Sequence, residues 1–144
     1  MAPKRILGID YGRARIGIAV SDPTGQIASP VACLSLDSSL EKSLQALSTR
    51  LSSFGTFSTI VLGYPLLLSG KEGEMAKEAK AFGEVLSKHL ECPLTLWDER
   101  LTSLQIERML KEAEMSRKKR SAVVDSLAAT LILQNYLDFQ LYRS

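Results

Sequence analysis

Three short apolar runs, separated by turns too tight to hide a crossover, open the chain and fix most of what it can become. Arg5-Ile-Leu-Gly-Ile-Asp10 and Arg15-Ile-Gly-Ile-Ala-Val-Ser21 flank Tyr11-Gly12-Arg13-Ala14. Asp22-Pro23-Thr24-Gly25 is a turn signal, and a third run covers Gln26 to Leu36. Parallel neighbours need a crossover of a dozen residues or more, so these three runs predict an antiparallel meander.

The hydrophobic period then changes. Ser38 and Glu41 read as a capping box ahead of Leu40, Leu44, Leu47 and Leu51, a helix that Gly55 stops. Thr59-Ile-Val-Leu-Gly63 is a fourth strand, and a second helix runs from about Glu72 to Leu90 with Met75, Ala79, Phe82 and Leu86 on one face. Pro93-Leu-Thr-Leu-Trp97 is a fifth strand. Thr102 and Gln105 cap a further helix through Ile106, Met109 and Leu110, and a last helix spans roughly Ala122 to Tyr142. Strands 1, 4 and 5, joined through helices, are expected to be parallel, with strands 2 and 3 at one edge and strand 5 near strand 1. The expectation is one α/β domain over residues 1–144, with a mixed five-stranded sheet flanked by helices.

Composition excludes several classes. Hydrophobic residues at 45% and charged residues at 24% describe a globular chain, and aromatics at 6% are too few for a base-stacking platform. Leu51 to Gly70 is uncharged, but half of it is Ser, Thr, Gly or Pro, which makes a helix end, a strand and a loop rather than a membrane span. The N-terminal run is broken by Asp10 and Arg13 and does not read as a signal peptide. A cytoplasmic location is expected. Cys33 and Cys92 fit no metal spacing and read as free, buried thiols, and His89 reads as a helix-surface or helix-end residue. Gly63 to Lys71 is no phosphate loop: Pro65 stands where a glycine belongs, and Glu72 follows the lysine.

The chemistry lies in acids at element ends. Asp10 follows an apolar strand directly, where open α/β sheets place ligands, although a carboxylate there can also simply open the turn. Asp98 and Glu99 hold the matching position after strand 5, and alternation allows one of them on Asp10's face. A surface pairing with Arg100 is the alternative. Asp125 sits among Ala122-Val-Val and Ser-Leu-Ala-Ala, where a lone buried carboxylate is costly unless paired or bound to a cation; the alternative is a helix-dipole contact. Carboxylates without His or Cys favour Mg²⁺ or Mn²⁺, and two such ions can drive phosphodiester hydrolysis. From Arg100 to Arg120 seven basic residues face three acidic ones, net +4, while the rest of the chain nets −2. With Arg13 and Arg15 beside Asp10, Arg100, Arg117, Lys118, Lys119 and Arg120 form a basic stripe suited to a polyanion, unless Arg117 to Arg120 is a solvated linker.

Ile6-Leu-Gly-Ile-Asp-Tyr-Gly12 with Arg15-Ile-Gly-Ile-Ala-Val-Ser-Asp22 resembles the opening of the YqgF/RuvX family of Holliday-junction resolvases and pre-16S rRNA nucleases. Gly63-Tyr-Pro-Leu, Gly70-Lys-Glu-Gly73, Trp97-Asp-Glu-Arg-Leu-Thr-Ser103 and Val124-Asp-Ser-Leu-Ala-Ala-Thr-Leu-Ile-Leu-Gln-Asn-Tyr-Leu137 follow in the family's order, covering nearly the whole chain. The resemblance implies a ribonuclease-H-like fold and assigns Asp10, Glu99 and Asp125 as metal-binding acids, favouring Glu99 over Asp98. It implies a metal-dependent nuclease acting on structured nucleic acid. Maturation of the 5′ end of pre-16S rRNA, with ribosomal particles as partners, stands ahead of junction resolution on branched DNA; a monomer or weak homodimer is expected. A catalytically silent nucleic-acid-binding module and an actin-like or sugar-kinase-like ATPase are competing readings, the latter requiring two such domains. Ser69 stands where the family usually has Asp, and Tyr64 where Leu is common.

Overall fold

The computed structural model describes residues 4–37, 39–98 and 117–143, with 117–126 and 142–143 as backbone alone. β1 (Arg5–Tyr11), β2 (Arg15–Ser21) and β3 (Ala28–Ser35) form the expected meander. Then come α1 (Leu40–Leu51) with a 3₁₀ turn at Ser52–Phe54, β4 (Phe57–Tyr64), α2 (Glu74–Leu90), β5 (Leu94–Asp98) and α3 (Arg117–Arg143). The sheet order is β3-β2-β1-β4-β5. β1 pairs antiparallel with β2, Ile9 opposite Ile18, and parallel with β4, Ile9 opposite Leu62. β4 pairs parallel with β5, Gly63 opposite Trp97.

One expectation is corrected here: β4 lies between β1 and β5. At about 4.8 Å per strand, these two stand nearly 10 Å apart rather than as neighbours. The α1 cap also moves by one residue. Ser39 is the N-cap and accepts the Lys42 N–H at 3.4 Å, so Glu41 falls one place short of closing a capping box. Arg117 to Arg120, read as a stretch before the last helix, lie within it. The helix expected through Ile106 and Leu110 falls outside the described residues.

Period-two alternation assigns the two faces of the sheet. Leu7, Ile9, Ile16, Ile18, Val20, Ile60 and Leu62 pack with Leu44, Leu47 and Leu51 of α1 and with Ala79, Phe82 and Leu86 of α2. The opposite face carries smaller residues, Gly8 and Ala19 among them, with Val61, and receives Ala129, Ile132, Leu133 and Leu137 of α3. Small residues are required there. A Cβ on Gly8 would lie 2.8 Å from Leu133 Cβ and 3.2 Å from the Ala129 carbonyl oxygen. Ile132, Leu133 and Leu137 are fully buried, each contributing about 1.5–3 kcal/mol relative to exposure.

Candidate active site and nucleic-acid interface

Because β1, β4 and β5 are parallel, Tyr11, Tyr64 and Asp98 all end at one edge of the sheet, where open α/β sheets bind ligands. Asp10 follows Ile6 and Gly8 on the face covered by α3 and is half-buried. Gly17 lies opposite Asp10 across the β1–β2 ladder, and Arg15 is two residues further along that face. The fold therefore brings Asp10 and Arg15 to one corner. Asp98 alternates with Leu96 and Leu94, which pack toward the α1–α2 layer, so it sits on the face away from Asp10 and is exposed.

Asp125 lies one helical turn before Ala129, the residue whose carbonyl abuts Gly8. Strand and helix are thus clamped two residues from Asp10 and one turn from Asp125. Glu99 and Arg100 lie outside the described residues, as do the side chains of Asp125, Arg117, Lys118, Lys119 and Arg120. No group of three or more potential metal-ligating side chains occurs among the described residues. The acids assigned from sequence supply oxygen donors alone, the hard set that suits Mg²⁺ or Mn²⁺.

Arg13 turns to the other layer. It occupies the β1–β2 turn, which the Gly12 N–H closes onto the Arg15 carbonyl at 2.9 Å; a Cβ on Gly12 would meet that same oxygen at 2.8 Å. Its guanidinium forks onto Glu78 of α2, with Nε 2.9 Å and Nη2 2.6 Å from Oε2. The bond to Glu78 raises the Arg13 pKa further above its usual value. Glu78 also helps line an apolar cleft of about 300 Å³ with Tyr11, Leu40, Ala81, Phe82 and Val85. Sequence reasoning missed Glu78. Helical spacing marks it as one more polar residue on α2, and nothing local points to an arginine 65 positions away.

The loop after β4 is tied at both ends. The Tyr64 hydroxyl donates to the Glu72 carboxylate, which raises the tyrosine pKa, and the Leu67 N–H donates to the Lys71 carbonyl at 2.9 Å. Gly70 takes the left-handed conformation, φ 86°, that this reversal needs. Ser69, the departure from the family pattern, accepts the Lys71 N–H through its hydroxyl at 3.4 Å. His89, at the end of α2, bonds Ser48 of α1 at 2.8 Å and is a structural bridge. Cys92 is buried, which raises its thiol pKa, whereas Cys33 is only half-buried; neither forms a disulfide.

A sequence family described as RuvX: Holliday junction resolvase matches residues 4–139. A protein of Protochlamydia amoebophila named "Putative pre-16S rRNA nuclease" is 43% identical over 141 residues, spanning 94% of each chain. A Bacillus pumilus protein of the same name is 40% identical, spanning 93% of this chain and 97% of its own. Among solved structures, Thermus thermophilus RuvC superposes over 95% of this chain and 96% of its own, with a TM-score of 0.52 at 15% identity. The Fowlpox virus resolvase, in complex with Holliday junction DNA, does so over 95% and 99%, with a TM-score of 0.54 at 13% identity. At such identities the likeness is one of fold, and that fold is ribonuclease-H-like.

Proposed function

The chain belongs to the RuvX family of Holliday junction resolvases, and from that premise we propose that it is a divalent-metal-dependent nuclease maturing the 5′ end of pre-16S rRNA in the cytoplasm. The observation that carries this reading is the end-to-end similarity, about 40% identical, to proteins named for pre-16S rRNA cleavage. Among the described residues no helix is long and apolar enough to cross a membrane.

Asp10, Glu99 and Asp125 would hold the metal, a pair of Mg²⁺ or Mn²⁺ ions. Bound there, the metal supplies an activated water and charge stabilisation at the leaving oxygen of a phosphodiester. The protein's own work is positioning. The Gly8–Ala129 clamp sets β1 against α3, and Arg15 supplies positive charge on Asp10's face. Arg13, Arg100, Arg117, Lys118, Lys119 and Arg120 bind phosphates along the substrate.

Cleavage of pre-rRNA and of four-way DNA junctions by wild type and Asp10→Asn, with Mg²⁺ and with chelator, tests the proposal. Pre-rRNA cleavage by the wild type should need Mg²⁺ or Mn²⁺ and vanish in Asp10→Asn. The variant's metal-free melting temperature should equal or exceed that of the wild type, because one of three mutually repelling charges is gone. Mg²⁺ should raise the wild-type melting temperature more than the variant's. Cleavage that survives chelation defeats the metal assignment. A variant that melts lower with and without metal, and still cleaves, reduces Asp10 to a turn residue. Replacing Lys118 and Lys119 with Ala should weaken binding and flatten its salt dependence by about 0.9 per lost phosphate contact.

A further inference from the structure

Glu78 engages Arg13 in the manner of a phosphate. Its carboxylate accepts from Nε and Nη2 together, the bidentate fork that guanidinium offers to carboxylates and phosphates alike. The two side chains come from different elements, the β1–β2 turn and α2, and they are 64% and 37% exposed. An ion pair this open to water contributes little to stability and separates easily. Arg13 therefore stands beside the ligand edge of the sheet with its best phosphate-binding face already filled by an intramolecular anion.

We propose that Glu78 is a specificity-determining residue, an internal competitor that withholds Arg13 from nucleic acid until a correctly placed phosphate displaces it. This inference rests on the reading of Arg13 as a phosphate contact. A passing duplex that presents its backbone off-register meets a neutralised arginine and gains little from it. The cognate substrate, anchored elsewhere on the site, holds a phosphate against the guanidinium long enough to exchange partners with Glu78. The carboxylate acts against wrong ligands more than against the right one, which is discrimination by penalty.

The test is a double-mutant cycle on the full chain, with binding of a generic RNA duplex and of a pre-rRNA fragment followed from 50 to 200 mM salt. Glu78→Gln should bind the generic duplex several-fold tighter at low salt. Its salt slope should steepen by about 0.9, so that the advantage shrinks about 3.5-fold across that range. The pre-rRNA fragment should gain less, lowering the preference for it. In the Arg13→Ala background the same Gln substitution should change nothing. Tighter binding that persists without Arg13 overturns the inference, because Glu78 then acts only as a distant negative charge. Unchanged or weaker binding by Glu78→Gln also overturns it, showing that the carboxylate positions Arg13 rather than competing for it. Should Arg13→Ala alone leave affinity and slope untouched, the reading of Arg13 as a phosphate contact is what fails.

Discussion

A single carboxylate, that of Asp22, organises the turn between β2 and β3. Oδ1 accepts the Gln26 and Ile27 N–H groups, both at 2.8 Å, while Oδ2 accepts the Thr24 N–H at 3.2 Å and the Thr24 hydroxyl. Gly25 takes φ 72° to complete the reversal. These donors, led by Ile27, hold the Asp22 pKa well below the ordinary carboxylate range. A depressed folded-state value means that the stabilisation is complete above the unfolded pKa of about 3.9 and fades as pH falls toward the folded one. Asp22→Ala should therefore melt below wild type at neutral pH, and the gap should narrow below about pH 4. A gap that stays constant down to pH 2 contradicts this. The turn itself was legible in Asp22-Pro23-Thr24-Gly25, because turn chemistry is local. The Arg13–Glu78 fork was not legible, because it depends on which helix face the β1–β2 turn happens to meet.

Two glycines at contacts between elements should respond differently to the same added methyl. On Gly8 a Cβ meets the Cβ of Leu133 and a backbone carbonyl, atoms that cannot swing aside. Gly8→Ala should cost about 1–3 kcal/mol and lower activity, since it pushes α3 off β1 between Asp10 and Asp125. On Gly83 of α2, the crowding atoms are the methyl ends of Leu62 and Leu94, at 2.6 and 3.2 Å. Those ends can rotate, and alanine in a helix interior gains about 1 kcal/mol over glycine, so Gly83→Ala should lie within about 1 kcal/mol of wild type. Chemical denaturation of both variants decides; equal losses would refute the distinction. Element types were legible from periodicity, but boundaries yielded to tertiary contacts. Ser39 caps α1 because the Asp37 carboxylate accepts its N–H at 3.0 Å and Ser43 Oγ takes the Asp37 N–H at 2.8 Å, bonds that spacing alone does not reveal. Arg117 to Arg120 carry no apolar period, so their helical state was equally hidden.

At the scale of the molecule, turn lengths and helical connections announced which strands run parallel. They did not announce that β4 lies between β1 and β5, because a crossover constrains direction and hand more than lateral order. The acid assignments likewise rest on the family motifs, since of Asp10, Glu99 and Asp125 only Asp10 has a described side chain. The face of the sheet that carries Gly8, Ala19 and Val61 is covered by α3, and the Ala28 N–H finds its acceptor in Gln134, 106 residues downstream. During vectorial synthesis this imposes an order. The meander emerges early, yet one side of it stays wet until the last segment of its core arrives, so the fold closes late and from the far end of the chain. A chain cut before Arg117 should consequently show no cooperative melt and should bind a hydrophobic dye, and a sharp transition in that fragment would contradict the dependence. Premature termination then yields a sticky, protease-sensitive fragment rather than half an enzyme, because nothing but α3 dries that face of the sheet among the described residues.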